Sequence, residues 1–188
     1  MRFLPILPAL LTLVGCARAV DAPPQLASAF DASLTDIDGK PYPLAPLRGK
    51  VLLVVNVASK CGFTGQYAGL EALYAGRKER GLVVIGVPSN DFGVMSGQEP
   101  GAEAEIKAFC TLTYGVSFPM MAKVKVGGAS ADPFYRWLTS RPGCSAVSWN
   151  FNKFLIGRDG VAVRQFGSRT APDDRDLLAA IDAALAGP

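Results

Sequence analysis

Val51-Leu52-Leu53-Val54-Val55-Asn56-Val57-Ala58-Ser59-Lys60-Cys61-Gly62-Phe63-Thr64 is a nearly continuous apolar run that stops abruptly at small, polar and reactive residues. Its first part, Val51 to Ala58, has the character of a strand buried on both faces. A second run of the same kind, Leu82 to Val87, follows Gly65 to Arg80, where Tyr67, Leu70, Leu73 and Tyr74 fall at helical spacing. The three together predict a strand, helix, strand unit. Cys61 then lies in the loop at the carboxyl end of the first strand, the edge at which open α/β sheets place their sites.

Upstream, Leu34 to Leu44 reads as two short extended pieces around Asp38-Gly39, a hairpin at a sheet edge where proline is tolerated. Downstream, Ala102 to Thr113 is an amphipathic helix through Ile106 and Phe109, Met121 to Val126 is extended, and Pro133 to Ser140 is helical. Phe151 to Ile156 and Val161 to Phe166 flank the hairpin signal Gly157-Arg158-Asp159-Gly160. Pro172 opens a last helix with Leu177, Leu178, Ile181 and Leu185 on one stripe. A parallel unit followed by an antiparallel hairpin and a closing helix is the order of a thioredoxin-like α/β sandwich, a central mixed sheet flanked by helices.

The 188 residues suit one domain. Nineteen Lys and Arg stand against 16 Asp and Glu, a net charge of +3 without blocks of one sign, so neither nucleic acid nor an acidic partner is expected. The chain contains no histidine, which excludes Ser-His-Asp and Cys-His nucleophile pairs, His-ligated zinc and imidazole bases. No cofactor or metal is expected.

The chain opens with Met1-Arg2 and an uncharged run from Phe3 to Val14, too short for an ordinary transmembrane helix and suited to a secretory signal. Two exits are present. Ala17-Arg18-Ala19 satisfies ordinary cleavage, and Leu13-Val14-Gly15-Cys16 resembles a bacterial lipobox in which Cys16 becomes the lipidated first residue, the preferred reading. The expected organisation is a signal region over 1–19, a tether over 20–29 containing Ala22-Pro23-Pro24-Gln25, and a folded domain over 30–188. The expected location is the bacterial envelope, periplasmic or membrane-anchored, with membrane contact only through the lipid.

The partial positive charge of a helix N-terminus and the neighbouring Lys60 both favour a thiolate at Cys61. Thiolate is the form that reacts with peroxide. Thr64 stands where a Cys-x-x-Cys motif would carry its second thiol, which argues against a simple disulfide reductase. A free cysteine at such a place is otherwise a small buried hydrophobe.

Asn56-Val57-Ala58-Ser59-Lys60-Cys61-Gly62-Phe63-Thr64, then Val87-Pro88-Ser89-Asn90-Asp91-Phe92-Gly93 with Gly97-Gln98-Glu99-Pro100-Gly101, then Trp149-Asn150-Phe151-Asn152-Lys153-Phe154-Leu155-Ile156, resemble the signature segments of the glutathione peroxidase family. The resemblance runs in order from about Phe30 to the end. It implies a thioredoxin-like fold, reduction of hydrogen peroxide and of organic or lipid hydroperoxides, and a peroxidatic Cys61 supported by Gln98, Trp149 and Asn150. Amide and indole N–H groups can stabilise a thiolate and a developing oxyanion without histidine. Two departures stand out. The stretch from Gly93 to Gln98 is longer than the family's, and Ser89-Asn90-Asp91 replaces Cys-Asn-Gln, with an Asp91 charge that would disfavour the thiolate if it pointed inward.

Cys110, in the helix Ala102 to Thr113, lies at or one residue from the place where thioredoxin-dependent members of the family hold a resolving thiol, and Cys144 is the second candidate. The reductant is then a thioredoxin-like protein, or glutathione if neither thiol resolves. The short connection from Trp137 to Trp149 lacks the loop of the family's tetramers and implies a monomer with an open site. The alternatives are an exported thiol-disulfide oxidoreductase and a non-catalytic envelope lipoprotein on the same fold.

Overall fold

The computed structural model describes residues 26–92 and 97–187. The signal, Cys16, the cleavage site, most of the tether and the stretch from Gly93 to Ser96 lie outside these residues.

The elements run β1 (Ser33–Thr35), β2 (Pro41–Pro43), β3 (Val51–Val57), α1 (Gln66–Arg77), β4 (Leu82–Pro88), α2 (Glu103–Tyr114), α3 (Pro133–Thr139), β5 (Lys153–Ile156), β6 (Val163–Phe166) and α4 (Arg175–Ala186). The main sheet has the order β4-β3-β5-β6. β3 and β4 are parallel, while β5 pairs antiparallel with both β3 and β6. This is the thioredoxin-like mixed sheet, with the β1-β2 hairpin as a separate two-stranded piece.

Alternation along β3 divides the core into two layers. Leu53, Val55 and Val57 face Tyr67 and Leu70 of α1, Ile106 and Cys110 of α2, and Leu177 and Ile181 of α4. Leu52 and Val54 face Phe134, Tyr135 and Leu138 of α3, with Phe30 and Leu44 from the amino-terminal part. Burying such a Leu or Phe stabilises by about 1.5–3 kcal/mol, so a helix on each face is what makes so apolar a strand soluble.

Several boundaries differ from the sequence reading for local reasons. Ala29 is fully buried and the Trp137 indole N–H donates to the Leu26 carbonyl, so the packed domain begins before the expected Phe30. α4 starts at Arg175 rather than Pro172 because the Asp174 carboxylate caps the amides of Asp176 and Leu177. β6 starts at Val163 because Asp159 accepts from the amides of Val161 and Ala162. The stretch Met121 to Val126 forms no regular strand. Met120 and Met121 make isolated bridges to Gly86 and Asp36, and Met120 comes so close that a Cβ on Gly86 would lie 2.5 Å from its sulfur. Among the described residues, no helix is long and apolar enough to cross a membrane.

Candidate active site

Cys61 lies in the tight turns between β3 and α1, 9% exposed. Thr64 organises this turn. Its hydroxyl accepts from the Cys61 amide at 2.9 Å and lies within hydrogen-bond distance of the Ala58 and Cys61 carbonyls. The place of a second motif thiol is thus filled by a bonded hydroxyl. The Phe63 amide points at the Cys61 sulfur, 3.4 Å away. α1 itself starts only at Gln66, so the nearest backbone donor to the sulfur belongs to the turn before the helix.

Gln98 arrives from the segment after β4. Its carbonyl accepts from the Lys60 amide at 2.9 Å, and its side-chain Oε1 accepts from Asn150 Nδ2 at 2.6 Å. One residue therefore joins the Cys61 loop to the Trp149-Asn150 turn. Glu99 strengthens the junction, since its buried carboxylate accepts from the Ser59 amide at 2.7 Å and the Ser59 hydroxyl at 3.0 Å. Burial pushes the Glu99 carboxyl up, and the two Ser59 bonds oppose it. At the start of this segment, Gly97 has φ +72 and a Cβ there would strike Asn90 Oδ1, which accepts from the Glu99 amide at 2.6 Å. The long preceding loop therefore ends in a pinned segment. Asp91 does not point inward as the sequence allowed: its carboxylate accepts from the amides of Val126 and Gly127.

Trp149 and Asn150 come from the turn before β5, and Asn56 holds that turn to the end of β3. Asn56 Nδ2 donates to the Trp149 carbonyl at 3.1 Å, and Asn56 Oδ1 accepts from the Asn152 amide at 3.0 Å. Phe151 has φ +62, its amide bonded to the Asn56 carbonyl, so β5 begins at Lys153 and not at Phe151. Trp149 is 36% exposed, and its ring packs on Phe92 at 5.6 Å between centroids. Asn150 is fully buried and its Oδ1 has no hydrogen-bond partner. Among the described residues, the sulfur receives the Phe63 N–H and no hydrogen bond from Gln98, Trp149 or Asn150. The Gln98-Asn150 pair forms within the site, tied through backbone bonds to both sides of it.

The other thiols separate by layer. Cys110 is 1% exposed and belongs to the core layer that holds Cys61, whereas Cys144 packs against the layer on the opposite face of the sheet. Burial pushes the Cys110 thiol up to about 11, with the neighbouring Tyr67 hydroxyl opposing the shift and the Glu99 charge adding to it. Cys144 is also raised by burial. All three are free thiols. Among the described residues, no His, Cys, Asp and Glu cluster could hold a metal ion.

Asn56, Glu99 and Lys153 escaped the reading of the residues as functional groups. The available signal was their context: Asn56 interrupts the apolar run from Val51, and Lys153 precedes Phe154-Leu155-Ile156 in a strand too apolar for an exposed ammonium.

A family model for glutathione peroxidase matches residues 29–139. The chain is 48% identical over 147 residues to the glutathione peroxidase-like peroxiredoxin gpx1 of Schizosaccharomyces pombe, covering 77% of this chain and 91% of that one. It is 50% identical over 153 residues to the hydroperoxy fatty acid reductase Gpx2 of Synechocystis, covering 81% and 96%. A crystal structure of Trgpx in apo form superposes with a TM-score of 0.69 at 38% identity, covering 86% of this chain and 97% of that one.

Proposed function

The chain belongs to the glutathione peroxidase family and is a thiol peroxidase, and from that premise we propose that it runs a two-cysteine cycle on Cys61 and Cys110 in the bacterial envelope. The Cys61 thiolate attacks the distal oxygen of the hydroperoxide. An S–O bond forms, the O–O bond breaks, and the leaving oxygen takes a proton to become water or an alcohol, leaving a sulfenic acid. Gln98, Asn150 and the Trp149 indole supply N–H donors for the leaving oxygen in place of histidine. Cys110 then attacks the Cys61 sulfenic sulfur, forming the disulfide and releasing water. A thioredoxin-like dithiol reduces that disulfide by exchange and is itself oxidised.

The observation that carries this cycle is the division of the thiols between the two layers. Cys110 shares the α1 and α2 layer with Cys61, and Cys144 would have to cross the sheet. Cys110 still has to leave its helix, since a disulfide needs Cα atoms within about 7 Å and its raised thiol is inert where it is buried. The exposure of Trp149 suits a site open to bulky organic hydroperoxides, fatty acid hydroperoxides included, on a monomer. Leu13-Val14-Gly15-Cys16 supports export with Cys16 as lipidation site.

Non-reducing peptide mass spectrometry after one equivalent of hydroperoxide tests the cycle. The expected product is a Cys61-Cys110 disulfide. Persistent Cys61 sulfenic acid or a glutathione adduct would replace it with a one-cysteine cycle, and an unmodified Cys61 would remove Cys61 from the chemistry. Cys61→Ser is expected to abolish turnover, whereas Cys16→Ser is expected to change the cell fraction that holds the protein and leave turnover intact.

A further inference from the structure

Lys153 belongs to the Trp149 to Ile156 segment, yet the chemistry above does not use it. It is completely buried in β5 on the face of the sheet that carries Cys61, in phase with Leu155. Its Nζ donates to Gln66 Oε1 at 2.7 Å and to the Phe151 carbonyl at 2.8 Å. Both acceptors are neutral, and among the described residues no carboxylate forms an ion pair with it. Burial pushes the ammonium down to about 7. If packing alone were needed here, an apolar side chain would serve at least as well.

The two bonds show what the lysine adds. Phe151 is, among the described residues, the one non-glycine with positive φ, a conformation disfavoured for any residue with a Cβ and held only where its surroundings over-determine it. Its amide is fixed by the Asn56 carbonyl and its own carbonyl by Lys153. It directly follows Trp149 and Asn150. Gln66 is the first residue of α1, the helix that follows the Cys61 turn, and its Nε2 donates to the Ser168 carbonyl at 2.7 Å. The lysine thus couples the turn carrying two of the donors to the helix start beside the nucleophile. An ammonium has three N–H donors and an amine two, so both bonds persist in either protonation state.

We infer that Lys153 is a positioning residue of the peroxidase site: its Nζ clamps the left-handed Phe151 carbonyl to the first turn of α1 and so sets Trp149 and Asn150 relative to Cys61. The inference rests on Cys61 being the peroxidatic residue.

The test measures both half-reactions of the full chain in rapid mixing, with hydrogen peroxide for oxidation and dithiothreitol for reduction. Lys153→Met keeps the length and the packing and removes both donors. It is expected to slow Cys61 oxidation by about ten- to a hundredfold, as for a small misplacement of a reacting geometry, with dithiothreitol reduction unimpaired. Lys153→Arg, which retains donors, is expected to recover part of the oxidation rate. Wild-type oxidation kinetics in Lys153→Met would overturn the inference. So would parallel losses in both half-reactions with a lowered midpoint, which describe a loosened fold. Failure of the wild-type chain to oxidise at Cys61 would instead remove the reading of the site on which the inference stands.

Discussion

Thr64 and Lys153 have opposite ways of being buried and polar. Thr64 has its hydroxyl satisfied by the turn it organises, so its substitution exposes a cost. Thr64→Val keeps the shape but leaves the Cys61 amide and the Ala58 carbonyl without that partner, and is expected to destabilise by about 1–3 kcal/mol in denaturant unfolding and to slow Cys61 oxidation. Lys153 is satisfied in hydrogen bonds and unsatisfied in charge. Its group sits at about 7 when folded and at 10.5 in the unfolded chain, so between those values the unfolded state holds a proton the folded state has released. Stability from this group therefore rises with pH across that window, and the burial penalty is complete below it. The stability of Lys153→Met relative to wild type is accordingly expected to be highest near pH 6 and to fall by about pH 9.5, read from denaturant midpoints. A gap that stays constant with pH would show that the lysine does not titrate on unfolding.

Among the elements, α2 carries the heaviest demand of the proposed cycle, which requires it to hold Cys110 and also to release it. Its amino-terminal half is anchored: Glu105 accepts from the Ala102 amide, Lys107 pairs with Asp38 at 2.7 Å, and Lys123 donates to the Glu99 and Gly101 carbonyls. Beyond its carboxyl end, Ser117 is fixed to Glu71 through its amide and hydroxyl. Opening is therefore expected between Lys107 and Ser117, where local unfolding can free Cys110 without disturbing either anchor. Hydrogen exchange should be faster for the amides of Phe109 to Tyr114 in the oxidised protein than in the reduced one, with those of Glu103 to Ile106 unchanged. This helix was legible from Ile106 and Phe109, because an apolar stripe is a local pattern. Its anchors were not, because Asp38 and Glu71 meet it only after the chain has folded.

At the scale of the molecule, the sheet is a partition. Cys144→Ser is expected to leave peroxide turnover and the Cys61-Cys110 linkage intact, because that thiol packs on the far layer. Cys110→Ser is expected to accumulate Cys61 sulfenic acid after a single turnover. The convergence of Gln98, Trp149 and Asn150 depends on the same sheet. β3 and β4 are parallel and β5 runs against them, so the end of β3, the segment after β4 and the turn before β5 meet at one edge.

What the sequence determined by itself was the pair of nearly continuous apolar strands, the helix between them, the closing hairpin and helix, and the placing of Cys61 at a strand end. Burial and amphipathicity have fixed short periods, and a turn declares itself in neighbouring residues. Only the tertiary structure decided which thiol shares a layer with Cys61, that Gln98 is pinned despite the long loop before it, and that Asp91 serves the backbone of Val126 and Gly127. It alone revealed Asn56, Glu99 and Lys153 as the frame of the site. Each of these is a contact between segments far apart in the chain, made by a buried polar group whose partner is set by the packing of the sheet, and such a partner has no period to read.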